Sequence, residues 1–145
     1  MFDTILVCSD GSDQALKAAQ TAAAIATEFG SRVILVHVIV AMESFYPVDL
    51  EAQPGSAEQT PDDSPHVKHS IEKHTGVVFD DLDVRYSVCC LHGNVVGQIV
   101  ELAAKEEADL IVIGSRGLGG FQRYLLGSIS DGVVHHAHSP MLVVR

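Results

Sequence analysis

Residues 108–120 read ADLIVIGSRGLGG, and this stretch indicates the fold class more clearly than any other part of the chain. It contains a continuous aliphatic run at 110–113, without the polar alternation of a strand that has one face in water. Such runs are typical of strands buried on both faces of a parallel sheet. The run ends at Gly114, which begins the most glycine-dense segment of the chain, 114–120. The pattern predicts a buried strand followed by a ligand-binding turn.

Similar apolar runs lie on both sides of this strand, and together they predict strands at 5–8, 33–40, 84–88, 110–113 and 141–144. Between them, apolar residues spaced at i, i+3, i+4 and i+7 predict helices at 13–29, 94–107 and 120–137. A weaker helix is expected over 65–74, ended by Gly76. Ser12 is the expected N-cap of the first helix and Gly30 its C-cap.

Strands that alternate with helices predict an α/β fold, because each helix returns the chain to start the next strand in the same direction. We expect an open, mostly parallel five-stranded sheet, in the order 3-2-1-4-5, with helices on both faces. The length of 145 residues suits one domain, expected to span 1–145. Four prolines interrupt a polar stretch and mark 41–65 as a variable surface loop.

Composition and charge exclude several classes of protein. Hydrophobic residues make up 47% of the chain, which is enough for a core. With 19 acidic residues against 9 basic ones, the net charge is −10, so neither nucleic acid nor an anionic membrane is an expected partner. No apolar run approaches the roughly 20 residues needed to cross a bilayer. The basic region of a signal peptide is missing, and three cysteines do not make a disulfide framework, so a cytoplasmic protein is expected.

Two of the predicted turns can form one crevice. Asp10 follows the first strand and the glycine-rich segment follows the fourth, so the two turns flank a common cleft if these strands are neighbours. Glycines let the backbone N–H groups approach an anion, and the N-terminus of the next helix adds its dipole. The arrangement suits phosphate, although the glycines could also serve only a tight turn and close helix packing. The spacing fits neither of the common phosphate-loop patterns, GxxxxGK[ST] and GxGxxG.

What the spacing does match is G-x2-G-x9-G-S, formed by Gly114, Gly117, Gly127 and Ser128. By pattern, Gly127 and Ser128 lie either inside the last helix or at a break just before it. This spacing resembles the ATP-binding signature of the universal stress protein family. The resemblance extends over nearly the whole chain and is carried by the segments 5–7, 10–12, 36–38, 108–117, 125–128 and 138–144. It is weakest over 41–76.

The resemblance implies a role for each matching position. Asp10 is expected to meet the ribose hydroxyls through its carboxylate, and Val38 to contact the adenine edge through its backbone. The phosphates are expected to be held, largely through backbone N–H groups, by Gly114, Gly117, Gly127, Ser128 and Ile129. Arg116 lies near enough in sequence to offset phosphate charge, unless it is only a solvated surface residue. Because the chain is acidic, the nucleotide is expected to bring Mg²⁺ with it.

The resemblance therefore predicts an adenine-nucleotide-binding stress-response protein. It would act as an ATP-dependent switch, with at most slow hydrolysis or autophosphorylation, since no residue stands out as a catalytic base. The alternatives are a nucleotide-independent dimeric scaffold of the stress response and a small α/β enzyme or redox carrier. The resemblance also implies a homodimer paired through Met141–Val144, whereas the residues alone equally allow an edge strand protected by Arg145. A further protein partner is open, and no metal site is predicted from the histidines.

Overall fold

The structure, a computed structural model, describes residues 1–40, 65–115 and 127–145. The predictions that concern the loop at 41–64, Arg116, Gly117 and the first part of the predicted last helix lie outside these residues. Within the described residues, no helix is long and apolar enough to span a membrane.

The described strands form one sheet in the predicted order, β3-β2-β1-β4-β5, and every neighbouring pair is parallel. The strands are β1 Thr4–Cys8, β2 Arg32–Ile39, β3 Tyr86–His92, β4 Leu110–Gly114 and β5 Met141–Val144. All residues of β1 are buried, as expected for a central strand of a parallel sheet. The predicted fold class is thus confirmed.

Helices connect the strands on both faces. They are α1 Asp13–Phe29, α2 Pro65–Ile71, α3 Val77–Asp81, α4 Val95–Lys105 and α5 Ser128–His136, with a π-helical segment, Glu72–Gly76, joining α2 to α3. The predicted caps of α1 are confirmed. The Ser12 hydroxyl accepts a hydrogen bond from the Ala15 N–H at 3.2 Å, and Gly30 adopts φ 68°. Asn94 caps α4 in the same way, through the Gly97 N–H at 2.8 Å.

Two predicted boundaries are wrong. Gly76 does not end the helix of the 65–81 region, which continues through Gly76 to Asp81. A Cβ at this position would lie 2.6 Å from the hydroxyl of Tyr86, so the glycine serves close packing of the helix on β3. The third strand runs over Tyr86–His92 instead of 84–88, because its register follows β2 as far as Ile39.

The two faces of the sheet bury different sets of residues. Ile5 and Val7 of β1 face α1, α2 and α3, where six buried alanines of α1 let that helix lie close to the sheet. Leu6 and Cys8 face α4 and α5. We call these the α1–α3 face and the α4–α5 face.

Candidate functional site

A pocket of about 440 Å³ lies at the carboxyl ends of β1, β2 and β4, where the first turns of α1, α4 and α5 meet. This is the position at which open α/β sheets bind ligands, since the chain leaves β1 and β4 toward opposite sides of the sheet. Its volume lies within the range of small-molecule sites. Every strand residue and α4 residue in its apolar wall belongs to the α4–α5 face.

One wall of the pocket is aliphatic. Val36 and Val38 come from β2, Ile113 comes from β4, and Val95 and Ile99 come from α4. Ile99 is 2% exposed, so it forms part of the core as well as of the wall. Such a wall suits a flat, uncharged ring, because burying the faces of the ring away from water is favourable in free energy and requires no charged partner.

The start of α5 forms another part of the pocket lining. Gly127 is the N-cap residue, and no side chain among the described residues caps this helix. The first N–H groups of a helix have no partner within it, so they are available to an anion, which the helix dipole also favours. Ser128 and Ile129, the first two residues of α5, both line the pocket.

Ser115 and Ser130 fix this helix start against the end of β4. The Gly127 N–H donates to the Ser115 carbonyl at 2.6 Å. The hydroxyl of Ser130, which is buried, donates to the carbonyls of Ser115 at 3.1 Å and Gly127 at 3.0 Å. The break before the last helix is therefore real, and Gly127 and Ser128 do not lie mid-helix.

Asp10 lies on the rim of the pocket, in the turn between β1 and α1. Its carboxylate accepts a hydrogen bond from the Ser12 N–H at 2.9 Å. Gly11 adopts φ 80°, a left-handed conformation that favours glycine and lets the turn be tight. The turn leaves the Asp10 side chain exposed and in the lining of the same pocket as the aliphatic wall and the start of α5.

Cys8 also lines the pocket, but its thiol does not readily ionise. Burial, together with the negative charge of Asp10, raises the pKa of the Cys8 thiol to about 12. Because the thiolate is the reactive form, the side chain behaves as a small hydrophobic group at neutral pH. This argues against the redox alternative.

The pocket brings together six of the eight residues expected at the site, namely Asp10, Val38, Gly114, Gly127, Ser128 and Ile129. Arg116 and Gly117 lie outside the described residues. Gly114 also has a packing reason to be glycine, since a Cβ there would lie 3.1 Å from the backbone of Gln14 in α1. The individual roles of these residues stay predictions.

Sequence reasoning missed several residues of the site. Val95 and Ile99 fall in the predicted helix 94–107 but were not predicted at the site, because periodicity reports burial and not the presence of a pocket beside the helix. Ser130 gave no signal beyond its position three residues after Gly127. Within the described ranges, no three or more His, Cys, Asp or Glu side chains are grouped so that they could hold a metal ion.

The fold and the pocket define a doubly wound α/β protein with a ligand crevice at the β1–β4 switch point. The model of the universal stress protein family matches residues 1–145. The chain belongs to the universal stress protein family.

Relatives and solved structures agree with this assignment. The chain is 36% identical to a universal stress protein of Methanocaldococcus jannaschii over 145 residues, all of this chain and 83% of that protein. It is 37% identical to a universal stress protein of Thermus aquaticus over 150 residues, with both chains fully covered.

Two solved structures share the fold. One is a universal stress protein in complex with cAMP, at TM-score 0.72 and 24% identity, covering 99% of this chain and 97% of that one. The other is a universal stress protein of Archaeoglobus fulgidus in complex with dAMP, at TM-score 0.70 and 20% identity, covering 100% and 98%.

Proposed function

We propose that the pocket binds an adenine nucleotide, and that its physiological ligand is ATP carried with Mg²⁺. The observation that carries this proposal is that one pocket is lined by aliphatic side chains of β2, β4 and α4, by the first residues of α5, which no described side chain caps, and by Asp10. A nucleotide has three corresponding parts: an apolar base, a ribose with two hydroxyls, and an anionic tail. Structural neighbours that bind cAMP and dAMP support the assignment.

The base and the ribose take the part of the pocket formed by the strands. Adenine lies against the valines and isoleucines of the wall, with its edge at the backbone of Val38. The carboxylate of Asp10 accepts hydrogen bonds from the ribose hydroxyls, which a carboxylate with two acceptor oxygens does well.

The phosphates take the end formed by α5. The N–H groups of Ser128 and Ile129 donate hydrogen bonds to the phosphates, at the positive end of the helix dipole. Gly114 keeps the end of β4 open beside it, and the resemblance adds Gly117 and Arg116 to this group. Among the described lining residues Asp10 is the single carboxylate, so the donor set does not form a cage for Mg²⁺. The ion is held by the phosphates, as is common for Mg²⁺ with nucleotides.

The protein acts as a nucleotide-dependent switch in the stress response. A ligand that bridges the β1 turn and α5 favours the conformation in which both are in place, and thereby shifts the population seen by a partner. Hydrolysis or autophosphorylation is at most slow, since Asp10 is engaged with the ribose and no other carboxylate lines the described part of the pocket. The three cysteines are thiols, which suits the reducing cytoplasm.

Purified protein tests the nucleotide assignment directly. We expect Mg·ATP to bind with measurable heat in calorimetry, and Asp10→Asn to weaken it about tenfold, since one charge-assisted hydrogen bond contributes on that order. Asp13→Asn is the matched control, because Asp13 is an exposed acid three residues away that does not line the pocket. Equal losses in both variants, or no binding of ATP, ADP or AMP by the wild type, would contradict the proposal and favour the nucleotide-independent scaffold.

We also propose a homodimer formed through β5. Met141–Val144 is an edge strand that pairs with β4 on one side, and exposed edges are templates for strand pairing. Hydrogen bonds from the Ile111 N–H to Pro140 and from the Ser115 N–H to Val144 show which residues face β4. Since backbone groups alternate along a strand, those of Met141 and Val143 face the open edge.

This geometry gives a selective test. Val143→Pro removes an N–H that points away from β4, a place where edge strands tolerate proline. We expect it to give a folded monomer in light scattering, whereas Val143→Thr, which keeps the N–H and the shape of the side chain, stays dimeric. A dimer of unchanged size in Val143→Pro would refute pairing through this edge.

A further inference from the structure

Ser9, the residue before Asp10, is held from three directions. Its N–H donates to the Val36 carbonyl at 2.9 Å, which extends the pairing of β1 with β2 by one residue. Its carbonyl lies 2.7 Å from Nδ1 of His37. Because a carbonyl can only accept, His37 carries its proton on Nδ1 and donates it here. The backbone of Ser9 is therefore fixed to β2.

The third contact comes from the layer opposite the pocket. The hydroxyl of Ser9 lies 3.0 Å from the hydroxyl of Thr75, in the π-helical segment. Both residues are buried, and Thr75 is fully buried. Thr75 does not line the pocket, whereas Ser9 does. The hydrogen bond thus joins the pocket side of the β1 turn to a helix on the α1–α3 face.

The π-helical segment is well placed to act as a rigid support. Burial of a hydroxyl is costly unless it is hydrogen-bonded, and Thr75 has a second partner in Nδ1 of His74, at 3.1 Å. The next residue, Gly76, is so close to Tyr86 that even a Cβ would collide with its ring. Local π-helical geometry in a helix is frequently associated with functional sites. The segment is therefore in contact with the end of β1 through Thr75 and with β3 through Gly76.

From Ser9 the restraint continues into the turn. The Gly11 N–H donates to the Ser9 hydroxyl at 3.4 Å, and the Ser12 N–H donates to the Asp10 carboxylate at 2.9 Å. Asp10 thus stands between a residue clamped by Thr75 and His37 and a residue that caps α1. Its orientation depends on both.

We propose that Thr75 is a positioning residue, which holds the Asp10 turn in its ligand-binding geometry through the hydroxyl of Ser9. The proposal rests on the nucleotide assignment above and deepens it, since it names a residue outside the pocket that sets the affinity of the pocket. The physical effect is preorganisation: a turn that is already ordered loses less entropy when the ribose arrives.

Thr75→Val is the principal test, because it keeps the shape of the side chain and removes the hydroxyl. We expect the Kd for Mg·ATP to rise about fivefold, which corresponds to one neutral hydrogen bond. Thr75→Ser, which restores the hydroxyl, is expected to stay within about twofold of the wild type. The control is Thr27→Val, since among the described residues the Thr27 hydroxyl donates to the Ala23 carbonyl within α1, far from the turn in sequence.

A comparison of ligands separates positioning from a general loss of structure. Because Thr75 acts through Asp10, removal of its hydroxyl should weaken the binding of ATP. The affinity for 2′,3′-dideoxy-ATP, which lacks the ribose hydroxyls that donate to Asp10, should stay within about twofold of the wild-type value. If Thr75→Val weakens both nucleotides equally, Thr75 is only a structural residue and the proposal is wrong.

Hydrogen exchange in the nucleotide-free protein gives an independent readout. We expect the amides of Gly11 and Ser12 to exchange about fivefold faster in Thr75→Val and at the wild-type rate in Thr75→Ser. Unchanged exchange and unchanged Mg·ATP affinity in Thr75→Val would overturn the proposal. Should that variant not fold, Ser9→Ala removes the same hydrogen bond from the other end; because it also removes the acceptor of the Gly11 N–H, only the Ser12 amide and the Mg·ATP affinity are compared, and both are expected to change as in Thr75→Val.

The two proposals fail in different ways. If the wild type binds no adenine nucleotide, the proposed function is wrong, and with it the link of Thr75 to affinity. If the wild type binds Mg·ATP and Thr75→Val binds it equally well, the proposed function stands and only the role of Thr75 is wrong.

Discussion

The two faces of the sheet end differently at the carboxyl ends of the strands. On the α1–α3 face Ser9, His37 and Thr75 are joined by hydrogen bonds at this end of the strands. On the α4–α5 face a pocket of about 440 Å³ lies beside the first turns of α4 and α5. The same five strands therefore carry a hydrogen-bonded cluster on one side and a pocket, the proposed ligand site, on the other.

The difference follows from what each helix presents to the sheet. Helix α1 packs five buried alanines against the sheet beyond its first turn, and such small side chains allow close contact: Ala18, Ala19, Ala22, Ala23 and Ala26. Helices α4 and α5 present their first turns to the pocket, as α1 does, but on their side the pocket wall is formed by larger aliphatic residues, and further along Gly132 of α5 packs against Val96 of α4. Closely packed sides give stability, and helix N-termini give a site for anions.

The largest effect is expected from overfilling the α1–α3 face. Ala19 of α1 is fully buried, and Ala19→Leu adds three carbon atoms where no space exists. We expect the free energy of unfolding to fall by about 3 kcal/mol in urea titrations. Ala24→Leu, on the exposed side of the same helix, is the control and should change stability by less than about 0.5 kcal/mol.

The same pair of variants sharpens the comparison of the faces. Because Ala19 lies away from the pocket, the folded fraction of Ala19→Leu should bind Mg·ATP within about twofold of the wild type. Near-equal stability of Ala19→Leu and Ala24→Leu would show that the α1–α3 face is not closely packed.

A smaller effect is expected where α5 is attached to β4. Ser130→Ala removes the buried hydroxyl that holds the carbonyls of Ser115 and Gly127. We expect a loss of about 1–2 kcal/mol in the free energy of unfolding, together with weaker Mg·ATP binding, since the start of α5 is less well fixed. Ser128→Ala, at an exposed position, should lower only the affinity, because it keeps the N–H but removes a hydroxyl that can donate to the phosphates beside it. Equal stability of the two variants would contradict the anchoring role of Ser130.

The smallest effect concerns Cys8 and pH. Its thiol has a pKa of about 12 in the folded protein against the ordinary value of 9.0. The unfolded chain therefore releases this proton at lower pH than the folded one, so stability falls as pH rises from 9 to 12, and the effect is absent below about pH 8.

The wild type should therefore lose about 1 kcal/mol more than Cys8→Ala between pH 8 and pH 10, measured by urea unfolding at both values. Parallel pH dependence in the two proteins would show that the thiol ionises as readily in the folded state, and that this wall of the pocket is open to water.

The part of the fold that sequence reasoning predicted is the part encoded locally. The run at 110–113, the spacing of α1 and the caps Ser12 and Gly30 each depend on near neighbours along the chain. The prediction that the helix ends at Gly76 was wrong, because this residue is a glycine for close packing against Tyr86, a contact made only after folding. Local signals cannot report such tertiary reasons for a residue.

The site divides in the same way. Asp10, Gly127 and Ser128 were predicted at the pocket because turns and glycine spacing are visible in the sequence. The residues that α4 adds to the aliphatic wall and the support from Thr75 were not, because they depend on how α4 and the π-helical segment lie on the sheet. A polar residue at the end of a weak helical pattern, such as Thr75, gives no sign in the sequence that it is buried against a strand end.

The most direct test of the central claim is to map which amides respond to nucleotide. We expect Mg·ATP, titrated into ¹⁵N-labelled protein, to shift the amide signals of Asp10, Val38, Gly114 and Ile129 together, with one common Kd, while that of Ala19 on the α1–α3 face stays in place. No shift at millimolar Mg·ATP, or shifts confined to the α1–α3 face, would contradict the account.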